Sequence, residues 1–280
     1  MKFSGVRTFT LMLAASTAGC SSWALGDCTQ TESRDLDLDA TGVRALAISG
    51  RAGSLDIRGE PGLERVIVSG KACADDGETL AGVRLSERRN GDRLEVTAEL
   101  PEPGSNWGWS SSPTLDLEIR VPSRLALEVT DSSGDTSIRD VSDTTVQDSS
   151  GDLRIANIAG TLSVNDSSGD IDIRDVAGDV RIPSDSSGDI GIENVEGNVL
   201  IDEDSSGSIE IRQVRGDADV KVDSSGDIGF VAVGGSARVG TDSSGDIEAS
   251  DIGRDFIVGR DGSGGIRHDK VRGAVRIPED

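Results

Sequence analysis

Residues 171 to 189 read IDIRDVAGDVRIPSDSSGD, residues 190 to 208 IGIENVEGNVLIDEDSSGS, and residues 209 to 227 IEIRQVRGDADVKVDSSGD. The same unit continues through IGFVAVGGSARVGTDSSGD, IEASDIGRDFIVGRDGSGG and IRHDKVRGAVRIPED. Upstream, DSSGD also occurs at 131, 148 and 166, where the interval is slightly shorter. Five apolar positions recur: Ile171, Ile173, Val176, Val180 and Ile182 map onto Ile190, Ile192, Val195, Val199 and Ile201, then onto Ile209, Ile211, Val214, Ala218 and Val220. Ile-x-Ile and Val-x-Ile are the period-two signature of short strands with one buried face. Each unit holds two such strands, introduced by a Gly-Asp or related turn.

Burying five modest side chains does not offset the entropy of ordering a whole unit, so an isolated unit is unstable and must stack on its neighbours. The repeat therefore predicts an all-β fold, a parallel single-stranded β-helix (β-solenoid) with about 19 residues per coil. The β-branched pairs and the regular glycines exclude helical repeats. Eight coils at a strand spacing of about 4.8 Å make a rod of roughly 38 Å. Glycine at 169, 188, 207, 226, 245 and 264 marks corners where φ is positive or a side chain would obstruct. A second column, Gly178, Gly197, Gly216 and Gly235, is broken by Arg254 and resumes at Gly273.

The chain up to position 130 is less regular. LDLD, ALAISG, SLDIRG, RVIVSG, VRLSE, RLEVTAEL, TLDLEIRVP and LALEVT alternate as strands do, separated by Gly, Pro and charged turns. Residues 28 to 130 form either degenerate coils that cap the solenoid of residues 131 to 280 or a small separate β-domain. Aromatic residues make up only 2% of the chain, so Val, Ile, Leu and Ala must fill a narrow core.

The N-terminus, MKFSGVR followed by TFTLMLAASTAG, has the basic region and short apolar run of an export signal. It is too short to span a membrane. STAGC at 16 to 20 predicts cleavage after residue 19 and a lipid on Cys20, although Thr17 stands where such boxes place Leu. The alternative is ordinary cleavage after Ala24-Leu25-Gly26, giving a signal of residues 1 to 26. Removal of the signal takes away Lys2 and Arg7 and moves the formal charge from −23 to −25. So acidic a surface argues against nucleic-acid binding and against membrane attachment other than through a lipid anchor. The expected location is the outer membrane, as a lipoprotein facing the periplasm or the surface, with a soluble periplasmic or secreted form as the alternative. In that oxidising setting Cys28 and Cys73 read as a disulfide. It would stabilise the N-terminal part by roughly 4 kcal/mol in the chain-entropy model.

The corners supply the first candidate site. Asp185, Asp204, Asp223 and Asp242 open successive pentapeptides, and Asp189, Asp227 and Asp246 close them. Carboxylates stacked at the strand spacing repel, which invites calcium. Neither the calcium-binding β-roll pattern nor an EF-hand loop is present, so the plainer expectation is solvated carboxylates bonded to turn amides, with no cofactor. Trp107 and Trp109, in EPGSNWGWSSSP, either form a contact platform for a ligand or close the end of the rod. His268, the sole histidine, falls in an inward slot of the last coil and is a terminal residue rather than a catalyst. The Ser-rich corners therefore lack the base of a Ser-His-Asp triad. The outward series Asp172, Gly191, Glu210, Gly229, Glu248 and Arg267 is mixed, and no catalytic carboxylate pair stands apart from the repeat.

The recurring V-x-V-x-D-S-S-G-D-I-x-I-x-x-V-x-G-x-V, Cys28 with Cys73 in SGKACADD, and the export signal resemble the bacterial putative adhesin family of exported, DUF4097-like β-strand-repeat proteins. The resemblance covers roughly residues 28 to 280. It implies a right-handed β-helix in an exported or envelope setting, and it supplies no catalytic residue. The expected function is that of a non-enzymatic cell-envelope protein with an adhesin-like binding or scaffold role toward an envelope protein or glycan. The alternatives are a periplasmic structural or signalling component with a protein partner and, third, a polysaccharide-active enzyme.

Overall fold

A computed structural model describes residues 28–101 and 112–278. The repeat closes into two facing parallel sheets, with one strand of each sheet in every coil. In the coil that starts at Ile190, the strand Ile190–Val195 lies in the first sheet and Val199–Asp204 in the second. Residues one, three and six of each strand point inward and are buried. Each pairs in register with its own counterpart: Ile171 with Ile190, Ile190 with Ile209, Ile209 with Ile228 and Ile228 with Ile247. All five isoleucines are at most 1% exposed. The core is thus a set of apolar columns running along the rod, as the period predicts.

The strand geometry accounts for the unequal spacing of the corners. In the full-length coils two residues separate the third and sixth positions of the second-sheet strand, as Asp202 and Glu203 separate Ile201 from Asp204. The coil before Asp166 has only Asn165 there, so it is shorter by one, and the ladder shifts where it meets Ser184. The coil before Asp148 likewise has only Gln147 there and is also shorter by one in the turn between Val141 and Thr144. In every case the aspartate that opens the pentapeptide keeps its inward position.

In the first-sheet strands the fifth residue sits in the left-handed region, with φ between 54° and 61° at Asp140, Asn157, Asp175, Asn194, Gln213, Ala232, Asp251 and Lys270. This kink lets the sixth residue point inward out of strict alternation. Asn and Asp tolerate it best. Asn157 donates from its amide to the Asp140 carboxylate at 3.1 Å.

The strands before residue 131 join the same two sheets. Leu55–Glu60 pairs parallel with Thr136–Val141, and Ala45–Ser49 pairs parallel with Ala126–Thr130. The departure from parallel order is local. Gln30–Asp39, Arg65–Ala74 and Thr114–Pro122 run antiparallel at the edge of the first sheet, and Arg84–Asn90 folds back on Arg93–Glu99 at the edge of the second. Between them sits the helix Gly77–Gly82, whose first amides at Glu78 and Thr79 donate to the Asp76 carboxylate at 2.9 and 2.8 Å. Cys28 and Cys73 are joined by a disulfide with their Cα atoms 5.9 Å apart, which ties the start of the described chain to the long strand Arg65–Ala74.

Because Ile211 is fully buried between Ile192 and Phe230, Ile211→Ala should lower unfolding free energy by about 2–5 kcal/mol. Its outward neighbour Arg212, changed to Ala, should cost no more than about 0.5 kcal/mol. Urea unfolding of the two variants beside the parent checks the inward assignment, and equal losses would refute it.

Candidate functional site: the DSSGD corner

Every residue of the pentapeptide has a separate task in stacking one coil on the next. The second serine donates its hydroxyl to the carbonyl of the first serine one coil earlier: Ser206 to Ser186 at 3.0 Å, Ser225 to Ser205 at 3.1 Å and Ser244 to Ser224 at 3.2 Å. The glycine donates its amide to the second serine's carbonyl one coil later, as Gly207 does to Ser225 at 3.2 Å. Glycine is required here twice over. Its φ runs from +117° to +148° along the column from Gly134 to Gly264, and a Cβ would lie 1.7–2.2 Å from the preceding glycine's carbonyl oxygen.

The two aspartates of the motif face opposite ways. The closing aspartate lies outside and accepts the amide of its counterpart one coil later. Asp170 accepts from Asp189 at 3.0 Å, Asp189 from Ser208 at 2.8 Å, Asp227 from Asp246 at 2.9 Å, and Asp246 from Gly265 at 2.8 Å. The same device recurs at the opposite corner, where Asp179, Asn198, Asp217 and Asp255 accept from Asn198, Asp217, Ser236 and Ala274. Asp246 also meets Arg267, and its pKa lies below the ordinary carboxylate range because the Gly265 amide and the Arg267 guanidinium both favour its charged form.

The opening aspartate lies inside. Asp131, Asp148, Asp166, Asp185, Asp204, Asp223 and Asp242 are 0–4% exposed, so the sequence expectation of solvated corner carboxylates fails for this half of the motif. Burial disfavours their charged form and is the largest influence on each. Like-charged neighbours in the column add to it at Asp131, Asp148, Asp185, Asp204, Asp223 and Asp242. Asp131 is pushed up to about 7, and Asp148, Asp185, Asp204 and Asp223 to about 6. The amides of the following serines oppose the rise, and Asp185 accepts from the Ser186 amide at 2.8 Å. The candidate metal set therefore splits: Asp185, Asp204, Asp223 and Asp242 form one internal column, while Asp189, Asp227 and Asp246 form an external one.

His268 pairs in register with Ala249, which places it in the inward slot, yet it is exposed because its strand, Ile266–Val271, is the edge strand of the first sheet among the described residues. Its ring lies 6.1 Å from that of Phe256. The outward series is one row in register, Asp172, Gly191, Glu210, Gly229, Glu248 and Arg267. Two open grooves of about 290 and 420 Å³ lie beside Gly229, lined by Glu210, Glu248 and Arg267. A Cβ at Gly229 would meet nothing closer than 3.8 Å, so packing does not dictate glycine there. Trp107, Trp109 and Cys20 lie outside the described residues. The two kinds of glycine make opposite predictions. Gly226→Ala should destabilise the protein by at least about 2 kcal/mol, whereas Gly229→Ala should be neutral or stabilising by up to about 1 kcal/mol. Paired thermal melts measure the difference.

Among solved structures, a protein from Parabacteroides distasonis ATCC 8503 described as a "putative lipid binding protein" is 18% identical, with 89% of this chain and 98% of that one covered and a TM-score of 0.49. A "putative adhesin" from Parabacteroides merdae ATCC 43184 is 10% identical over 89% and 97% of the two chains, with a TM-score of 0.41. Another "putative adhesin", from Bacteroides fragilis NCTC 9343, is 12% identical over 89% and 97%, with a TM-score of 0.38. No curated protein matches the chain. The Toastrack DUF4097 model matches residues 75–251, more than half of the sequence and most of the solenoid, and the chain belongs to that family.

Proposed function

We propose that this chain is an exported, non-enzymatic envelope protein whose rod presents repeated outward side chains to a protein or glycan partner. The observation that carries this reading is the register of the outer rows. Each coil sets its second residue directly beside that of the next, so Glu210, Gly229, Glu248 and Arg267 form one continuous strip at the strand spacing. A rigid strip of this kind lets many weak contacts act together, because binding at one coil raises the effective concentration at the next. The non-enzymatic reading is supported by the use of the internal carboxylates in the core and by the place of His268 against Phe256 at the last coil.

Export and anchoring rest on the N-terminal sequence. Cleavage before Cys20 and lipidation there would hold the rod to the outer membrane, and cleavage after Gly26 would release it to the periplasm or medium. In this reading the stretch of sequence that carries Trp107 and Trp109 would offer a glycan its aromatic contact.

The test is direct binding of the processed protein to a panel of bacterial envelope glycans and to envelope protein extracts, with Trp107→Ala, Trp109→Ala and Glu210→Lys/Glu248→Lys variants in parallel. Saturable binding that falls at least about tenfold in one of these variants, equivalent to about 1.4 kcal/mol, supports display. Binding unchanged in all of them, or turnover of a glycan, refutes it. Labelling of the wild type but not of Cys20→Ser with a lipid precursor tests the anchor separately.

A further inference from the structure

The inner aspartate column holds carboxylate oxygens inside the rod that make no hydrogen bond of full geometry, although the amides of the serines that follow lie close enough to favour their charge. Both carboxylate oxygens of Asp148, Asp166, Asp204 and Asp223 are buried without a hydrogen-bond partner, as is one oxygen each of Asp131, Asp185, Asp242 and Asp261. An unpaired buried acceptor is costly, and a buried unpaired charge more so. Successive members are nearest neighbours, since Asp185 bridges to Asp204, Asp204 pairs with Asp223, Asp223 with Asp242 and Asp242 with Asp261. At a spacing of about 4.8 Å, two ionised carboxylates held away from water repel each other.

Among the described residues no cationic side chain acts on the column. The charged groups that act on the column are its own members together with the outer Asp189 and Asp227, whose charges reach Asp204 and Asp242. The neutral groups that act on it are the amides of the serines that follow each member, and the Thr136 hydroxyl, 3.5 Å from Asp131. A proton placed between two adjacent members solves both problems, giving one orphan oxygen a donor and removing one charge. A multiply coordinated ion fits less well, because among the described residues no three His, Cys, Asp or Glu side chains gather around one point.

We propose that the opening aspartates of the DSSGD corners share protons from coil to coil, as a file of O–H···O bonds inside the rod that forms on folding and comes apart as the pH rises. The protons come from solvent and return to it on unfolding, and no covalent bond of the chain's backbone changes. Carboxyls in the unfolded chain titrate near 3.9. In the folded rod burial pushes Asp131 up to about 7 and Asp148, Asp185, Asp204 and Asp223 up to about 6. The folded state therefore binds more protons between these values. Stability from the file is fully present below about pH 4 and is lost as pH rises through about 6 to 7. The opposite trend comes from Asp76, Asp92 and Asp202, whose pKa values are lowered by hydrogen bonds, and it acts only as pH falls below about 4.

The experiment is thermal melting of the processed protein, with its disulfide intact and divalent ions removed, between pH 4.5 and 8.5. The melting temperature should fall by roughly 5 °C or more across this range. Asp204→Asn and Asp223→Asn should raise the melting temperature at pH 8 and flatten the slope, while the outer Asp170→Asn leaves the slope unchanged. Urea unfolding in weak buffer near pH 6 should release protons from the wild type and from Asp170→Asn alike, and fewer from Asp204→Asn and Asp223→Asn. A melting temperature that is flat or rises with pH, or unfolding without proton release, overturns the file. Saturable restoration of stability at pH 8 by calcium but not by magnesium also overturns it, since a cation would then hold the column.

Discussion

Every residue in this rod must tolerate a near-copy of itself about 4.8 Å above and below. The apolar columns meet that constraint with side chains that pack on their own kind, as Ile190 does on Ile171 and Ile209. At the corners it is harder to satisfy, because the chain turns, backbone groups leave the regular ladder, and adjacent turns crowd. DSSGD is the solution: a glycine where a Cβ would strike the previous carbonyl, a serine that bonds backward, and an aspartate that accepts the amide of the next coil. The same constraint explains why Asp and Asn recur at the opposite corner, where their oxygens take up the same kind of amide.

One aspartate in the motif does not fit that economy. The opening residue could be apolar by position, since it stands in an inward column with Val and Ile in its own strand. As a carboxyl in a buried file it gives the protein a response to pH that an aliphatic residue could not give. It also separates formal charge from surface charge. The chain carries a formal −23 at pH 7, and below about pH 6 protons shared along the file lower the charge inside the rod and leave the outer aspartates and glutamates to set its electrostatic face. Any partner meets that outer face, where arginines such as Arg238 and Arg267 already bridge acidic residues of neighbouring coils.

Most of the solenoid was legible because Ile-x-Ile at a fixed period has few physical interpretations. The inward columns from 171 onward, the corner glycines and the inward register of His268 all follow from counting. The position of the opening aspartate was harder to read. In the full-length coils two residues, Asp202 and Glu203, separate Ile201 from Asp204 and break simple alternation, so the residue looks like the start of a polar turn. The two short coils held the missing signal: Val146-x-Asp148 and Val164-x-Asp166 keep strict alternation and place the carboxyl inside. The antiparallel strands and the helix Gly77–Gly82 were not legible, because they lie outside the period and follow from pairing across long intervals of sequence. The left-handed column was hidden as well, since Gln213, Ala232 and Lys270 carry none of the preference that Asp and Asn show for that conformation.

The two aspartates of one pentapeptide live on opposite sides of the wall, and in our proposal the opening one shares protons inside the rod. Carbon-13 NMR of the aspartate carboxyls at pH 5, assigned through single Asn substitutions, examines this at the atoms concerned. Protonated carboxyl signals that vanish one at a time with Asp148, Asp185, Asp204 and Asp223 are the expected result. Fully ionised signals from those four residues at pH 5 would contradict the account.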